Sequence, residues 1–272
     1  MTYTIAISNR KGGTGKTTVS VNLAAELAAM GLRVLLIDLD SQGHCAVGVS
    51  VKVGRSEPTI HHLFRGQATG LEAILRPTAH PNLHLAPADP LFDHGSGIRV
   101  KEVLEAELGR DAIQTRFDVV VLDTPPSLDA LLIAALSLAN GVVIPYIPHH
   151  LSLEGVKQLM RVLFKVKTDC NPDLRILGFL PVMVAEHIKQ HRAVIGEIAH
   201  LFGTARLFPG IRNDIKLVEA FRFGQPVRTF APRSRGAEDF GQLGRAIAGQ
   251  VGIHLTEGSR LEETWVEQGG AR

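Results

Sequence analysis

A glycine-rich segment, KGGTGKTT (11–18), lies between a short β-type apolar run, YTIAIS (3–8), and a helical pattern, KTTVSVNLAAELAAM (16–30), that ends before Gly31. A strand, a glycine-rich loop and a helix in this order form the context of a phosphate-binding loop. Glycines let backbone N–H groups approach phosphate oxygens, and the positive N-terminal end of the helix favours an anion. The segment therefore predicts that the chain begins with a β–loop–α unit built around an anion.

Two side chains of this loop carry the expected chemistry. We expect Lys16 to contact the β- and γ-phosphates of a triphosphate and the Thr17 hydroxyl to bind Mg²⁺. The loop departs from the general G-x-x-x-x-G-K-[ST] pattern, because Arg10 replaces the first glycine and Lys11 adds a second lysine. A glycine-rich turn without a ligand is the alternative, and the strand–loop–helix context disfavours it. The predicted ATP-binding residues of the loop are Lys11, Gly12, Gly13, Thr14, Gly15, Lys16, Thr17 and Thr18.

Apolar β-type runs and helical patterns alternate along the rest of the chain. RVLLIDLD (33–40) is almost continuously apolar, as in a parallel strand that is covered on both faces. The alternation predicts an α/β fold with a doubly wound, mostly parallel sheet flanked by helices. Further strands are predicted at 82–88, 116–126, 141–148, 175–184 and 205–209, helices at 127–139, 152–167 and 191–202, and loops with one short helix near 59–65 in the segment 41–81.

We expect one P-loop domain over 1–252, followed by a polar tail at 253–272. Trp265 of this tail is a candidate to pack against the domain. The chain is 45% hydrophobic with a formal net charge of +2, so nucleic-acid binding would require a local basic patch. Cys45 and Cys170 lack metal-ligand spacing and are interpreted as reduced thiols. No secretory signal or uninterrupted apolar span is apparent, which predicts a cytoplasmic protein.

Acidic residues follow two predicted strands at the edge of the sheet where ligands bind. Asp38 and Asp40 end LLIDLD and, two residues apart on a strand, are expected to share a face and point to the phosphates. A solvated strand end is the alternative. Asp123 follows VVVL at the Walker B position, which holds Mg²⁺. Asn9, Asp40 and Asp123 should therefore lie on one rim, with Thr17, Asp40 and Asp123 as the metal-binding residues.

Together these segments resemble the ParA/MinD family of deviant Walker A ATPases, and within it the short ParA (Soj-like) branch. The resemblance covers nearly the full length to about Val251. The chain departs from the usual family pattern at Ser41, where proline is usual, and at His44, where asparagine is usual. The segments that carry the resemblance are KGGTGKTT (11–18), DLDSQG (38–43), DTPPS (123–127), GIRNDIKLVEAFRFGQPV (210–227) and PRSRGAEDF (232–240).

The resemblance implies a P-loop NTPase fold and a homodimer that holds two ATP molecules, with Mg²⁺, at its interface. Lys11 would reach the phosphates of the partner subunit, whereas Lys16 would act in its own subunit. Asp40 would orient the attacking water and Asp38 would support the loop, which makes Lys11, Lys16, Asp38 and Asp40 the catalytic residues. Hydrolysis should be slow until a ParB-like or cargo-adaptor protein stimulates it. The adenine is expected at the loop 208–212, with the ATP contacts Pro209, Gly210 and Arg212.

The late part of the chain is rich in basic residues, and the predicted DNA-binding residues are Lys216, Arg222, Arg233 and Arg235. Lys216 matches a position that binds non-specific DNA in ParA-like relatives; a solvated basic face is the alternative. A MinD-like membrane-associated ATPase is the second candidate, but the acidic tail has few large apolar residues for membrane binding. An iron protein of the same superfamily would need cysteines at the dimer axis to hold a metal cluster, and the two scattered cysteines of this chain do not supply them. The sequence thus favours a nucleoid-associated ATPase that positions a cargo and binds no membrane.

Overall fold

The computed structural model describes residues 2–92, 99–185 and 187–252, so the predicted tail and Trp265 lie outside the described residues. Among these residues, one sheet contains β1 (Tyr3–Ile7), β2 (Val34–Asp38), β3 (Arg76–Pro77), β4 (Leu83–Ala86), β5 (Val119–Asp123), β6 (Gly141–Tyr146) and β7 (Arg175–Pro181). The strand order is β3-β4-β2-β5-β1-β6-β7. All neighbouring strands pair in parallel except β3 and β4. The predicted mostly parallel sheet is confirmed.

Helices cover both faces of the sheet. The described helices are α1 (Lys16–Ala29), α2 (His44–Gly48), α3 (Ile60–Phe64), α4 (Leu71–Ile74), α5 (Val100–Leu108), α6 (Asp111–Arg116), α7 (Ala130–Leu138), α8 (His150–Asp169), α9 (Lys189–Phe202), α10 (Ile215–Arg222), α11 (Val227–Phe230) and α12 (Arg235–Val251). One apolar cluster packs α5, α7, α8 and α9 on one face, and a second packs α1, α10, α11 and α12 on the other. The doubly wound arrangement is therefore confirmed.

The central strands β2 and β5 bring two carboxylates together. Every residue of both strands is buried, which explains why their sequences are almost wholly apolar up to the final aspartate. The register pairs Asp38 with Asp123, and Asp123 also pairs with Ile7 at the end of β1. The carboxyl ends of three neighbouring strands therefore meet at one edge, where the glycine-rich loop also begins.

The longest apolar stretch of the sequence forms α7 and β6, which are largely buried against the rest of the domain. This confirms the helix predicted at 127–139 and the strand predicted at 141–148. In the part of the chain that the structure describes, no helix combines the length and the apolar character that a membrane span requires.

The structure corrects two predicted segments. The segment 205–209 is not a strand, because a 3₁₀-helix covers Thr204–Arg206 and only a single bridge joins Leu207 to Phe179 of β7. Pro209 has no N–H group with which to continue a ladder, so the pairing stops there. The segment 41–81 contains α2, α4 and β3 in addition to the predicted short helix, which the structure shows as α3.

Gly178 allows this irregular segment to approach β7. A Cβ atom at Gly178 would lie 2.6 Å from a ring carbon of Phe208 and 2.7 Å from the carbonyl oxygen of Arg206. We therefore expect Gly178→Ala to lower the free energy of unfolding by about 1–3 kcal/mol, the usual cost of overpacking. Urea unfolding followed by circular dichroism measures this. Gly196→Ala on α9 is the control, because its Cβ would meet no atom within 4 Å; equal stabilities of the two variants would contradict the prediction.

Candidate active site

The glycine-rich loop joins β1 to α1 and is held by Asn9. The Asn9 side chain donates a hydrogen bond of 2.6 Å to the carbonyl of Pro145 and accepts one of 3.0 Å from the Lys11 amide. Gly13 and Gly15 both have φ angles of 73°, in the left-handed region that favours glycine. A Cβ at Gly13 would meet no atom within 4 Å. The loop therefore leaves open space beside its backbone, as a phosphate-binding loop requires.

Lys16 opens α1 and lies deep in this loop, with only 6% of its surface exposed. Burial lowers the pKa of its ammonium group, whereas the nearby carboxylates of Asp123 and Asp40 raise it. An ammonium group that has lost most of its water needs anionic neighbours. The environment of Lys16 thus suits direct contact with a phosphate bound in the same loop.

Asp123, at the end of β5, is fully buried and accepts hydrogen bonds from three side chains. Thr17 Oγ1 lies 2.7 Å from Oδ2, Ser20 Oγ lies 2.8 Å from Oδ1, and Cys45 Sγ lies 3.4 Å from Oδ2. Burial raises the pKa of Asp123, and the hydroxyl donors lower it. Ser20 was not predicted from the sequence, although its spacing of three residues from Thr17 places both hydroxyls on one face of α1.

Asp38 and Asp40 have different environments. Asp38 is fully buried and accepts the amides of Asp40 (3.1 Å) and Cys45 (3.0 Å), and its pKa lies well above the usual value because of burial and the charge of Asp123. Asp40 lies beyond the end of β2, is partly exposed and accepts the amide of Gln42. β2 ends at Asp38 and the chain turns at 40–43, so the two carboxylates are held differently, and their shared orientation toward the phosphates stays a prediction.

Lys11 is directed away from Lys16. Its Nζ donates a hydrogen bond to the carbonyl oxygen of Leu151, in the first turn of α8. Its aliphatic carbons pack against Gly155, one turn further along the same helix. The two lysines of the loop therefore have different partners: Lys16 faces the carboxylates at the sheet edge, and Lys11 contacts α8. No local sequence pattern indicates this contact, because its two sides are about 140 residues apart in the chain.

A largely apolar pocket of about 440 Å³ opens beside Gly15 and Thr18. Its walls come from the end of β7, the segment 211–214, α10 and α12. A pocket of this size and lining suits a flat apolar group attached to an anion in the loop. The lining includes Val19, Val182, Met183, Ile211, Arg212, Leu217, Val218, Phe221 and Phe240.

Of the three ATP contacts predicted in the loop 208–212, Arg212 lines this pocket. Its guanidinium pairs with Asp239 and Glu238 of α12, each at 2.7 Å, and these hydrogen bonds raise its pKa. The structure does not place the other two predicted contacts in the lining. Pro209 is exposed, and a Cβ at Gly210 would lie 2.8 Å from Val184, so that glycine packs against β7 and the loop after it.

Three of the four predicted DNA-binding residues lie together. Lys216, Arg233 and Arg235 line one hollow of about 530 Å³ at the start of α12. The Lys216 ammonium forms an ion pair of 2.7 Å with Glu219 on the same helix. Arg222 instead lines the pocket beside the glycine-rich loop. The structure thus brings together a basic cluster of three residues, which we call the α12 basic cluster, and separates the fourth from it.

Comparison with known proteins identifies the family. A family model described as an AAA domain matches residues 2–176. The chain is 37% identical over 248 residues to the chromosome-partitioning ATPase Soj of Thermus thermophilus, covering 91% of this chain and 96% of that protein. It is 35% identical to the sporulation initiation inhibitor protein Soj of Bacillus subtilis, and the match covers 90% of this chain and 97% of that protein. The chain belongs to the ParA/MinD family of ATPases.

The fold agrees with this membership in the ParA/MinD family, and a synthase has a similar fold. The structure is similar, with a TM-score of 0.78, to cobyrinic acid a,c-diamide synthase of Mycobacterium smegmatis with bound ADP and magnesium. The two chains are 27% identical, and the match covers 94% of this chain and 98% of the synthase. The predicted family resemblance is therefore confirmed by sequence, whereas the fold is shared more widely.

The burial of Asp38 predicts a pH dependence of stability. Its folded pKa is raised well above the ordinary value of an aspartate, so its contribution to the free energy of unfolding is fully present below that ordinary value and is lost as the pH rises through the folded pKa. In a chelating buffer without nucleotide, the wild type should lose more stability than Asp38→Asn as the pH rises above the ordinary pKa of an aspartate. Urea unfolding measures both curves.

Asp118→Asn is the control for this experiment, because a hydrogen bond from Arg33 lowers the pKa of Asp118. The stability from that pair is present above the usual aspartate pKa and is lost only in acid. Its curve should therefore run parallel to that of the wild type over the same range. Parallel curves for the wild type and Asp38→Asn would contradict the predicted effect of burial.

Proposed function

We propose that this chain is a ParA-like ATPase that dimerises with ATP, binds non-specific DNA in that state and positions or segregates a cargo. A ParB-like or cargo-adaptor protein stimulates slow ATP hydrolysis and so releases the dimer from DNA. The observation that carries the proposal is the placement of the two loop lysines. Lys16 is buried beside the carboxylates, whereas Lys11 extends out of the loop to α8.

ATP and Mg²⁺ fit the residues of this site. The amides of 12–18 and the Lys16 ammonium would hold the phosphates, and the apolar pocket beside Gly15 and Thr18 would hold the base. A hydroxyl at Thr17 and a carboxylate at Asp123 are oxygen ligands of the kind that Mg²⁺ prefers, the carboxylate acting through water. Bound Mg²⁺ would neutralise phosphate charge. The relatives named Soj and the ADP- and magnesium-bound synthase support this assignment.

Asp40 is the carboxylate at this edge that remains partly exposed, and we assign to it the orientation of the attacking water. Asp38 is turned into the protein, where it holds the amides of residues 40 and 45 and so supports the loop. A single partly exposed carboxylate is a weak base for activating water. This agrees with slow hydrolysis that a partner protein accelerates.

Lys11 has a role between subunits in this proposal. Two lysines in one loop would compete for the same phosphate oxygens, whereas one lysine from each subunit would neutralise a triphosphate enclosed between them. Without ATP, the cationic loops of two facing subunits would repel each other. Dimerisation would therefore depend on the nucleotide.

Substitution of each lysine separates these roles. Lys16→Ala should weaken ATP binding by about 10- to 100-fold, because it removes a charge-assisted contact to the phosphates. Lys11→Ala should leave ATP binding nearly unchanged but abolish ATP-dependent dimerisation. Fluorescent nucleotide titration and analytical ultracentrifugation measure the two properties. The exposed Lys165→Ala on α8 is the control, and ATP-dependent dimers of Lys11→Ala would contradict the assignment.

The α12 basic cluster supports non-specific DNA binding. Lys216, Arg233 and Arg235 surround one hollow on the surface, so they can neutralise neighbouring phosphates of one duplex. Clustered Lys and Arg side chains of this kind contact phosphates and carry little sequence information. Arg222 remains a predicted DNA contact that lies apart from this cluster, beside the nucleotide pocket.

Replacement of all three cluster residues by alanine should weaken ATP-dependent DNA binding and reduce the slope of log K against log salt by about 0.9 for each phosphate that is no longer neutralised. Arg161→Ala, an exposed change on α8, is the matched control. Co-sedimentation with random-sequence DNA and with anionic liposomes, with ATP and with ADP, measures binding. Capture by liposomes without DNA binding would overturn the proposal in favour of the MinD-like alternative.

A further inference from the structure

We propose that Gly155 forms a notch that stores Lys11 in the free subunit and thereby sets how readily Lys11 reaches a partner subunit. The second half of this statement rests on the proposed function, since it assumes the ATP-dependent dimer. The first half concerns the free chain alone. Gly155 acts as a positioning residue, because its effect is exerted through Lys11.

The notch is defined by distances around Gly155. A Cβ atom at this position would lie 3.1 Å from Cδ and Cε of Lys11 and 3.2 Å from its Cγ, and these are the three nearest atoms. Such separations are shorter than ordinary van der Waals contact between carbon atoms. The Lys11 side chain therefore occupies the space that any side chain at 155 would need. Gly155 is buried, and its hydrogen-bearing Cα forms the floor of the notch.

The polar end of the notch is the carbonyl oxygen of Leu151, which accepts the hydrogen bond from Lys11 Nζ. Leu151 and Gly155 are four residues apart on α8, so they lie above one another on the same helix face. The stem of Lys11 thus packs on bare backbone while its ammonium group reaches an oxygen. This division suits a lysine, which buries its methylene groups and keeps its charged end on a polar group.

The strength of this contact suits storage. A neutral carbonyl holds an ammonium group less tightly than a phosphate does, because the phosphate adds the attraction between opposite charges to the hydrogen bond. A triphosphate on a partner subunit would therefore outcompete Leu151. Until then, the stored fraction of Lys11 reduces the apparent affinity between subunits, since only the released fraction is competent to bind.

The test uses two substitutions that fill the notch, Gly155→Ala and Gly155→Leu. Gly196→Ala and Gly196→Leu on α9 are the controls, because a Cβ at Gly196 meets no atom within 4 Å and the change in helix propensity is the same. Mass spectrometry follows acetylation of Lys11 by acetic anhydride in the full chain without nucleotide. The exposed Lys165 provides an internal reference in every sample.

We expect Lys11 of Gly155→Leu to react about fivefold faster than in the wild type, the factor that one ordinary net hydrogen bond represents. Gly155→Ala should show a smaller increase, and both Gly196 variants should match the wild type. An unchanged Lys11 rate in Gly155→Leu would overturn the storage of Lys11. If Gly155→Leu loses helical circular dichroism, its rate is set aside, and the acetylation rate of Lys11 in Gly155→Ala alone decides the outcome.

Ultracentrifugation with ATP tests the link to dimerisation. Gly155→Ala should dimerise more tightly than the wild type, while Gly196→Ala should not. Faster acetylation without tighter dimerisation, in a wild type that does dimerise, would overturn the control of dimerisation by the notch. Faster acetylation in a chain that forms no ATP-dependent dimer at all would instead contradict the proposed function and leave only the storage of Lys11.

Discussion

The hydrogen bonds that converge on the buried carboxylate of Asp123 are the constraint on which the rest of the site depends. Thr17 and Ser20 donate to its two oxygens, and Cys45 joins them from the segment after β2. A carboxylate without water must have such partners, so the first turns of α1 have one position relative to β5. That position fixes the glycine-rich loop above the sheet edge and brings Lys16 beside the carboxylates.

Local patterns in the sequence predicted the features that depend on local structure. The buried strands β2 and β5, the loop before α1 and the position of Asp123 follow from continuous apolar runs and from the spacing of the glycines. The orientation of Asp38 could not be predicted, because it depends on where β2 ends and on how the following loop returns the amide of Cys45 to it. The prediction of a strand at 205–209 was wrong, because packing against β7 and the missing N–H group of Pro209 outweighed the β propensity of the segment.

The environments of Lys11 and Lys16 connect the structure to the proposed cycle. Burial of Lys16 prepares one loop for its own nucleotide, while the contact of Lys11 with α8 keeps a second cation outside that loop. If the second cation serves the partner subunit, nucleotide binding and dimerisation are coupled by charge alone. The α12 basic cluster lies on elements of the opposite sheet face from α8, which Lys11 contacts, so DNA and the partner phosphates would not compete for the same residues.

A mixing experiment tests the central claim, that Lys11 acts between subunits, most directly. Lys11→Ala and Asp40→Ala are each expected to lose hydrolysis, and their ATPase activity is measured separately and after mixing in equal amounts with ATP. In a mixed dimer, the Lys11→Ala subunit keeps its own Asp40 and receives Lys11 from its partner, so one complete site forms. The mixture should then regain ATPase activity that neither variant has alone, at about half of the wild-type activity for each mixed dimer, since one of its two sites is complete. A mixture as inactive as its two components would contradict the account.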